Sequence, residues 1–277
     1  MGRYFAAVTP SMDFLVIPLL SAAVATLTLV SGFGLGTLLL PAFAIFFPME
    51  IAIAATGVVH FVNNIFKAIL IARWADRGVV LRFGLPAAAA ALLGAGLMTA
   101  MVEVPALHSY RLGPLPAEIT WLKLVIAGLL ALFAALELWP RYQQVGFPRG
   151  ALPIGGVLSG FFGGVSGMQG ALRAPFLLRA GLDERGYVGT ANVITLIVDS
   201  TRLAVYAVGL TWLARHGGYA TLSDWRTLAL VAAACAAAFL GSYAGTRLIR
   251  KVTVRGVRNL VAVLLFVAAA ALAAGVV

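Results

Sequence analysis

The chain has a single cysteine, Cys235, inside the Ala-rich run AAACAAAF, so no internal disulfide and no CxxC redox pair can form. Acidic side chains are scarce, ten Asp and Glu in 277 residues, and none gathers with His or Cys at metal-ligand spacing. No nucleotide-phosphate loop, HExxH pair or nucleophile elbow is present, and no nucleophile and base stand at useful spacing. These absences predict no catalytic residue, no metal, no cofactor and no ATPase engine. MGRYFA lacks the Ser or Thr that a myristoylation signal needs at its sixth position. Ala23 to Ala25 mimic a cleavage site, but the apolar run continues through them, so no removable signal peptide is expected.

Apolar residues are what the sequence has in excess. They make up 62% of the chain, against 11% charged, and mean hydropathy is +1.00. That is too little polar surface for a soluble protein of this size. The formal charge of +10 would suggest nucleic acid in a soluble chain. Here most basic residues lie in short loops beside apolar runs, where they orient membrane segments, so no nucleic-acid partner is expected.

The apolar segments run over 13–30, 37–47, 50–72, 83–102, 119–139, 151–162, 171–181, 186–213, 225–246 and 257–277. Those at 151–162 and 171–181 rise only about 16 to 18 Å each, half of a ~30 Å hydrocarbon core, and fit the arms of a re-entrant hairpin. A shift of 134 residues aligns Gly36 with Gly170, Pro41 with Pro175, Glu50 with Glu184 and Thr56 with Thr190. Each copy reads Gly-rich break, short helix, acidic cap, long helix. The predicted fold is therefore an all-α, polytopic membrane protein of two repeats, 1–140 and 141–277, each a re-entrant or broken-helix hairpin plus three transmembrane helices.

Loop charge orients the halves. The loops Arg73–Arg82 and Arg247–Arg258 are Arg-rich and predicted cytoplasmic, while those around Glu103–Glu118 and Arg215–Asp224 are nearly balanced and predicted outside. Both assignments hold only if 151–181 returns to the side it entered from. Each half then crosses three times, which inverts one half relative to the other and puts both termini outside.

Irregular backbone at membrane depth is tolerated only where protein or a wet cavity satisfies it. The two glycine-rich tips, Ser31-Gly-Phe-Gly-Leu-Gly36 and Gly163-Gly-Val-Ser-Gly-Met-Gln-Gly170, are thus candidates to line a site. The candidate substrate ligands there are Ser31, Gly32, Gly34, Gly36 and Thr37 in the first, and Ser166, Gln169 and Gly170 in the second. The helix starts beyond them, near Thr37 and Ala171, offer unpaired amides suited to an anion. Close helix packing by small residues is the competing explanation for the glycines.

Arg173 falls near mid-depth, where an arginine is costly unless it faces a cavity, an anion or a carboxylate. Rise along the long helices puts Thr56 and Thr190 about 9 Å in, Asn192 about 12 Å, His60 and Thr195 about 15 to 17 Å, and Asn63 about 20 Å. These side chains are candidate donors, with interhelical hydrogen bonding as the alternative for the asparagines and packing for His60. His60 and Asp199 are candidates for coupling to an ion. Asp199 and Arg202, three apart on one helix, are expected to pair. Lys67 and Arg202, about 25 to 27 Å along, are expected to snorkel to the far interface and are discounted as ligands. Glu50 and Glu184 read as caps of their helices.

At SGFGLGTLLLPAFAIFFPMEIAIAATGVV and GGVSGMQGALRAPFLLRAGLDERGYVGTANVI, the chain resembles the TauE/SafE family of sulfite and organosulfur anion exporters. The matching order is Gly-rich break, Pro, short gap, then Ala-Thr or Gly-Thr on the next long helix. Leu35 and Thr37 around Gly36, and Met168 and Gln169 before Gly170, depart from the usual glycine-dense pattern. The resemblance implies a multi-pass permease of the bacterial cytoplasmic (inner) membrane, moving sulfite or a sulfonate by secondary transport. Its partners would be a small anion, the lipid bilayer, and protons or another coupling ion. A non-transporting membrane subunit serving a partner enzyme, or a permease for another small solute, are the alternatives.

Overall fold

The computed structural model describes residues 13–31, 35–113, 115–217, 225–248 and 254–277, with side chains described except at 27–31, 35, 36, 115, 143, 246–248, 254, 255, 257 and 258. Among the described residues, ten α-helices follow the ten apolar segments. They are α1 (Asp13–Ser31), α2 (Leu35–Ala44), α3 (Met49–Ile71), α4 (Arg77–Val102), α5 (Trp121–Leu138), α6 (Leu152–Ser166), α7 (Gly170–Leu178), α8 (Glu184–Gly217), α9 (Trp225–Leu248) and α10 (Val254–Ala273). Among the described residues, α3, α4, α5, α8 and α9 are long and apolar enough to cross a membrane. The chain is an all-α polytopic membrane protein.

One small departure is a β-hairpin where a plain loop was expected. Strands β1 (His108–Leu112) and β2 (Leu115–Ile119) pair antiparallel, and the Glu118 amide donates to Gly275 O. The end of α10 is thereby tied to the start of α5.

Helix starts follow ordinary capping chemistry. Asp76 accepts from the Val79 amide at 2.8 Å and Thr120 from the Lys123 amide at 3.2 Å. At α8 the capping carboxylate is Asp183, which accepts from the Gly186 amide at 2.8 Å. Glu184, expected at the helix start, is the first residue of the helix and favours its dipole from there. Glu50 likewise lies in the first turn of α3, with Pro48 at the cap position.

The bundle is apolar outside and polar within. Leu85, Leu93, Val208 and Leu240 are among the most exposed hydrophobics, whereas Ser21, Asp199 and Arg202 are fully buried. A soluble fold has the reverse pattern, and a lipid environment accounts for this one. Helices approach closely through small residues. A methyl at Gly156, Gly160 or Gly164 would overlap the carbonyl oxygens of Phe83, Ala87 and Ala91, so α6 lies alongside α4 in the same direction. On the other side α1 meets α9, where Gly241 abuts Ala22 and Thr26 Oγ1 donates to Gly241 O at 2.8 Å.

Helices α6 and α7 fold back as a hairpin. The Phe147 amide, just before α6, donates to Pro175 O near the end of α7, and Gly155 lies against the Phe176 ring. Helix α6 is longer than expected, because Gly163 to Ser166 stay helical and pack on α4 and α8. The break is only Gly167 to Gln169. It starts at Gly167, whose φ of +81° is a left-handed value open to glycine and costly for other residues.

The central seam joins α3 to α8. Partners that advance along α3 retreat along α8: Gly57 meets Arg202, His60 meets Asp199, and Asn64 meets Asn192. The two helices are therefore antiparallel. The start of α5 likewise meets the end of α10 through Lys123 Nζ and Gly275 O.

Candidate functional site

A run of polar side chains crosses the seam between α3, the α6–α7 turn and α8. At its centre Asp199, fully buried, accepts three bonds. His60 Nδ1 lies 2.7 Å from Oδ2, Arg202 Nε donates to Oδ1 at 2.9 Å, and Gln169 Nε2 donates to Oδ1 at 3.4 Å. An ionised carboxylate only accepts, which assigns the His60 proton to Nδ1 and leaves Nε2 to accept from Asn64 Nδ2 at 3.2 Å. Asn64 Oδ1 in turn accepts from Asn192 Nδ2 at 3.2 Å.

From Gln169 the run continues to α7. Arg173 Nη1 donates to Gln169 Oε1 at 3.1 Å and to Thr195 Oγ1 at 2.7 Å, and the Thr195 hydroxyl donates to Ala191 O. Arg173 is half-buried and has no direct carboxylate partner among the described residues, meeting Asp199 through Gln169. The start of α7 has no capping side chain, and a Cβ on Gly170 would meet nothing within 4 Å. Close packing therefore explains Gly163 and Gly164 but not Gly170, beside which there is open space.

Other predicted ligands have different surroundings. Thr190 Oγ1 accepts from the Asp76 amide at 2.9 Å, which ties it to the start of α4 and away from the cluster. Ser166 Oγ donates to Phe162 O and accepts from the Met168 amide, shaping the turn. Asn63 Oδ1 accepts from Ser242 on α9 at 3.2 Å. Thr56 is buried with its hydroxyl unpartnered, and Thr37 is buried at the start of α2. Gly32 and Gly34 lie outside the described residues. Ser31 and Gly36 end α1 and open α2, with side-chain surroundings outside the described set.

The expectation for Arg202 is overturned. It does not snorkel but is fully buried, paired with Asp199, with its guanidinium 5.9 Å from the Tyr206 ring. The 34 residues of α8 extend about 51 Å, well beyond a hydrocarbon core, so Glu184 does not mark the interface and distance counted from it misplaces Arg202. The midpoint of the apolar run 186–213 falls beside Asp199, and that signal would have found the pair. Lys67 is only half-buried.

The model of the family described as Sulfite exporter TauE/SafE matches residues 17–272. The chain belongs to that family. The match takes in both arms of the α6–α7 hairpin and every residue of the polar run, so in this TauE/SafE member the cluster lies within a membrane transporter. No curated protein and no solved structure matches the chain.

Proposed function

We propose that this TauE/SafE protein is a secondary transporter of a small anion, sulfite or an organosulfur anion such as a sulfonate, in the bacterial cytoplasmic membrane. One observation carries the reading. The polar run contains two guanidinium groups, Arg173 and Arg202, against one carboxylate, Asp199. Uncompensated charge is expensive inside a low-dielectric bundle. A small anion entering beside Gly170 supplies the missing negative charge, close to Arg173 and the uncapped amides of α7.

The two halves, 1–140 and 141–277, are read as inverted repeats that rock about this site. The antiparallel course of α3 and α8 supports that reading, as do the hairpin of α6 and α7 and the recurrence of a short helix after each glycine-rich break. Coupling would run through His60 and Asp199, whose contact crosses from one half to the other.

Purified protein in liposomes should move sulfite down its gradient, and Arg173→Ala should reduce that flux to the level of empty vesicles. Unchanged flux in the variant would remove Arg173 from the site. Absence of flux in the unaltered protein, together with a stable co-purifying enzyme, would replace transport with a supporting-subunit role. Cysteines placed at 150 and 184 should be labelled from the same membrane face; labelling from opposite faces would undo the inverted arrangement.

A further inference from the structure

Among the described residues, an open groove of about 370 Å³ lies where the start of α4 meets α8. Its rim carries Arg73, in the short turn Ala72–Trp74 that follows α3, and Arg77, the first residue of α4. The floor is apolar, made of Val80 and Leu81 one turn further along α4 and of Val193 on α8. Charge therefore sits at one end and hydrocarbon about 5 Å further along the helix. Arg73, Arg77 and Leu81 are exposed, so the groove opens outward. Its walls are fixed, because the Asp76 amide donates to Thr190 Oγ1 at 2.9 Å and Gly189 abuts Ile71 O. The Arg73 guanidinium lies over the Trp74 ring, 4.3 Å from its centroid, a contact that positions it without using its N–H donors. None of the ion pairs among the described residues includes Arg73 or Arg77. The acid between them is engaged elsewhere: Asp76 Oδ1 accepts from the Val79 amide and Oδ2 lies 4.0 Å from Arg149. Topology accounts for basic residues in this loop, but not for a recess between two of them with an apolar floor.

We propose that this groove holds an anionic phospholipid, its phosphodiester on Arg73 and Arg77 and one acyl chain along Val80, Leu81 and Val193. Two features together select that occupant. Guanidinium groups without a carboxylate partner match a phosphate, and the apolar floor suits a hydrocarbon chain, which a free ion lacks. Trp74 beside the rim is a residue enriched at headgroup level, and basic pockets between transmembrane helices are a recurring way of holding acidic headgroups. The walls come from both halves of the chain, Arg73 to Leu81 from the first and Val193 from the second, so the lipid bridges them at the edge of the α3–α8 seam. The proposal is independent of which solute the protein moves.

The test is thermal unfolding of the purified full chain in a fixed concentration of neutral detergent, with added dioctanoyl phosphatidylglycerol, dioctanoyl phosphatidylcholine or inorganic phosphate at matched ionic strength. A ligand of the folded state raises its apparent stability. Phosphatidylglycerol should raise the unfolding temperature saturably, with phosphatidylcholine and inorganic phosphate much weaker. Arg73→Gln with Arg77→Gln should raise the half-saturating phosphatidylglycerol concentration about tenfold or more. Arg82→Gln with Arg141→Gln removes the same charge from exposed arginines outside the groove and should change it less than about threefold. Leu81→Gln keeps both rim arginines and should weaken the lipid severalfold; it carries the test if the Arg73 and Arg77 double variant does not fold. Equal responses to the two lipids, equal losses in the two double variants, or undiminished lipid binding in Leu81→Gln would each overturn the proposal. An inorganic phosphate response as strong as that of phosphatidylglycerol would also overturn it, by making the groove a site for a free anion.

Discussion

The two halves of the chain share an order of elements but not their chemistry. Where the second half has Arg173, Asp199 and Arg202, the positions 134 residues earlier hold Leu39, Ile65 and Ala68. Leu39 is fully buried among apolar neighbours, and Ile65 lies on the exposed face of α3. The exchange runs the other way at one place, where His60 of the first half matches Ile194 of the second. The charge of the polar run is thus concentrated in the second half, while the first half contributes His60 and Asn64 to it. The helix contacts differ too. The second half packs α6 through a stripe of glycines, while α1 of the first half uses the Thr26 hydroxyl and a glycine on its partner helix.

Substitutions at matched positions test how far this inequality goes. Asp199→Ala leaves Arg202 and His60 without their common partner and should cost about 3 to 5 kcal/mol of stability, whereas Ile65→Ala at the matching site should cost under about 1 kcal/mol. Thermal unfolding in one detergent compares them, and equal losses would erase the distinction between the halves. Gly160→Ala drives a methyl into Ala87 of α4 and should cost about 1 to 3 kcal/mol. Gly170→Ala, facing open space, should leave stability within about 0.5 kcal/mol yet reduce sulfite flux if the ligand passes there. Tyr206→Phe removes a buried hydroxyl that donates to Gly164 O and should cost about 1 kcal/mol; its counterpart Ala72 has no such bond to lose. Smallest is Arg149→Ala, whose pairing with Asp76 is 4.0 Å long and exposed, expected at under about 0.5 kcal/mol.

Most of the architecture was legible because hydrocarbon thickness constrains membrane helices so strongly. Apolar runs marked the ten described helices, with the start of α4 missed by six residues, and the shortness of 151–162 and 171–181 announced the hairpin. The turn between them proved narrower than its glycines suggested, since glycine serves helix contact and chain reversal alike and only the facing backbone tells them apart. The β-hairpin at 108–119 was missed because its residues carry no sustained alternation. Within the site, His60, Gln169, Arg173, Asn192 and Asp199 were anticipated and are joined in one network. Arg202 was discounted because depth was measured from the first residue of a helix that overruns the bilayer. Thr190 was displaced for another reason: its partner is a backbone amide from a distant loop, which periodicity along one helix does not encode.

The bond between His60 and Asp199 reads the register of one half against the other. Sliding α3 along α8 by the rise of two residues, about 3 Å, would stretch a 2.7 Å contact beyond hydrogen-bonding reach. The Arg202 bond to the same carboxylate would persist, because both residues ride on α8. Small displacements between the halves are thus converted into a discrete change in how many partners a buried acid has.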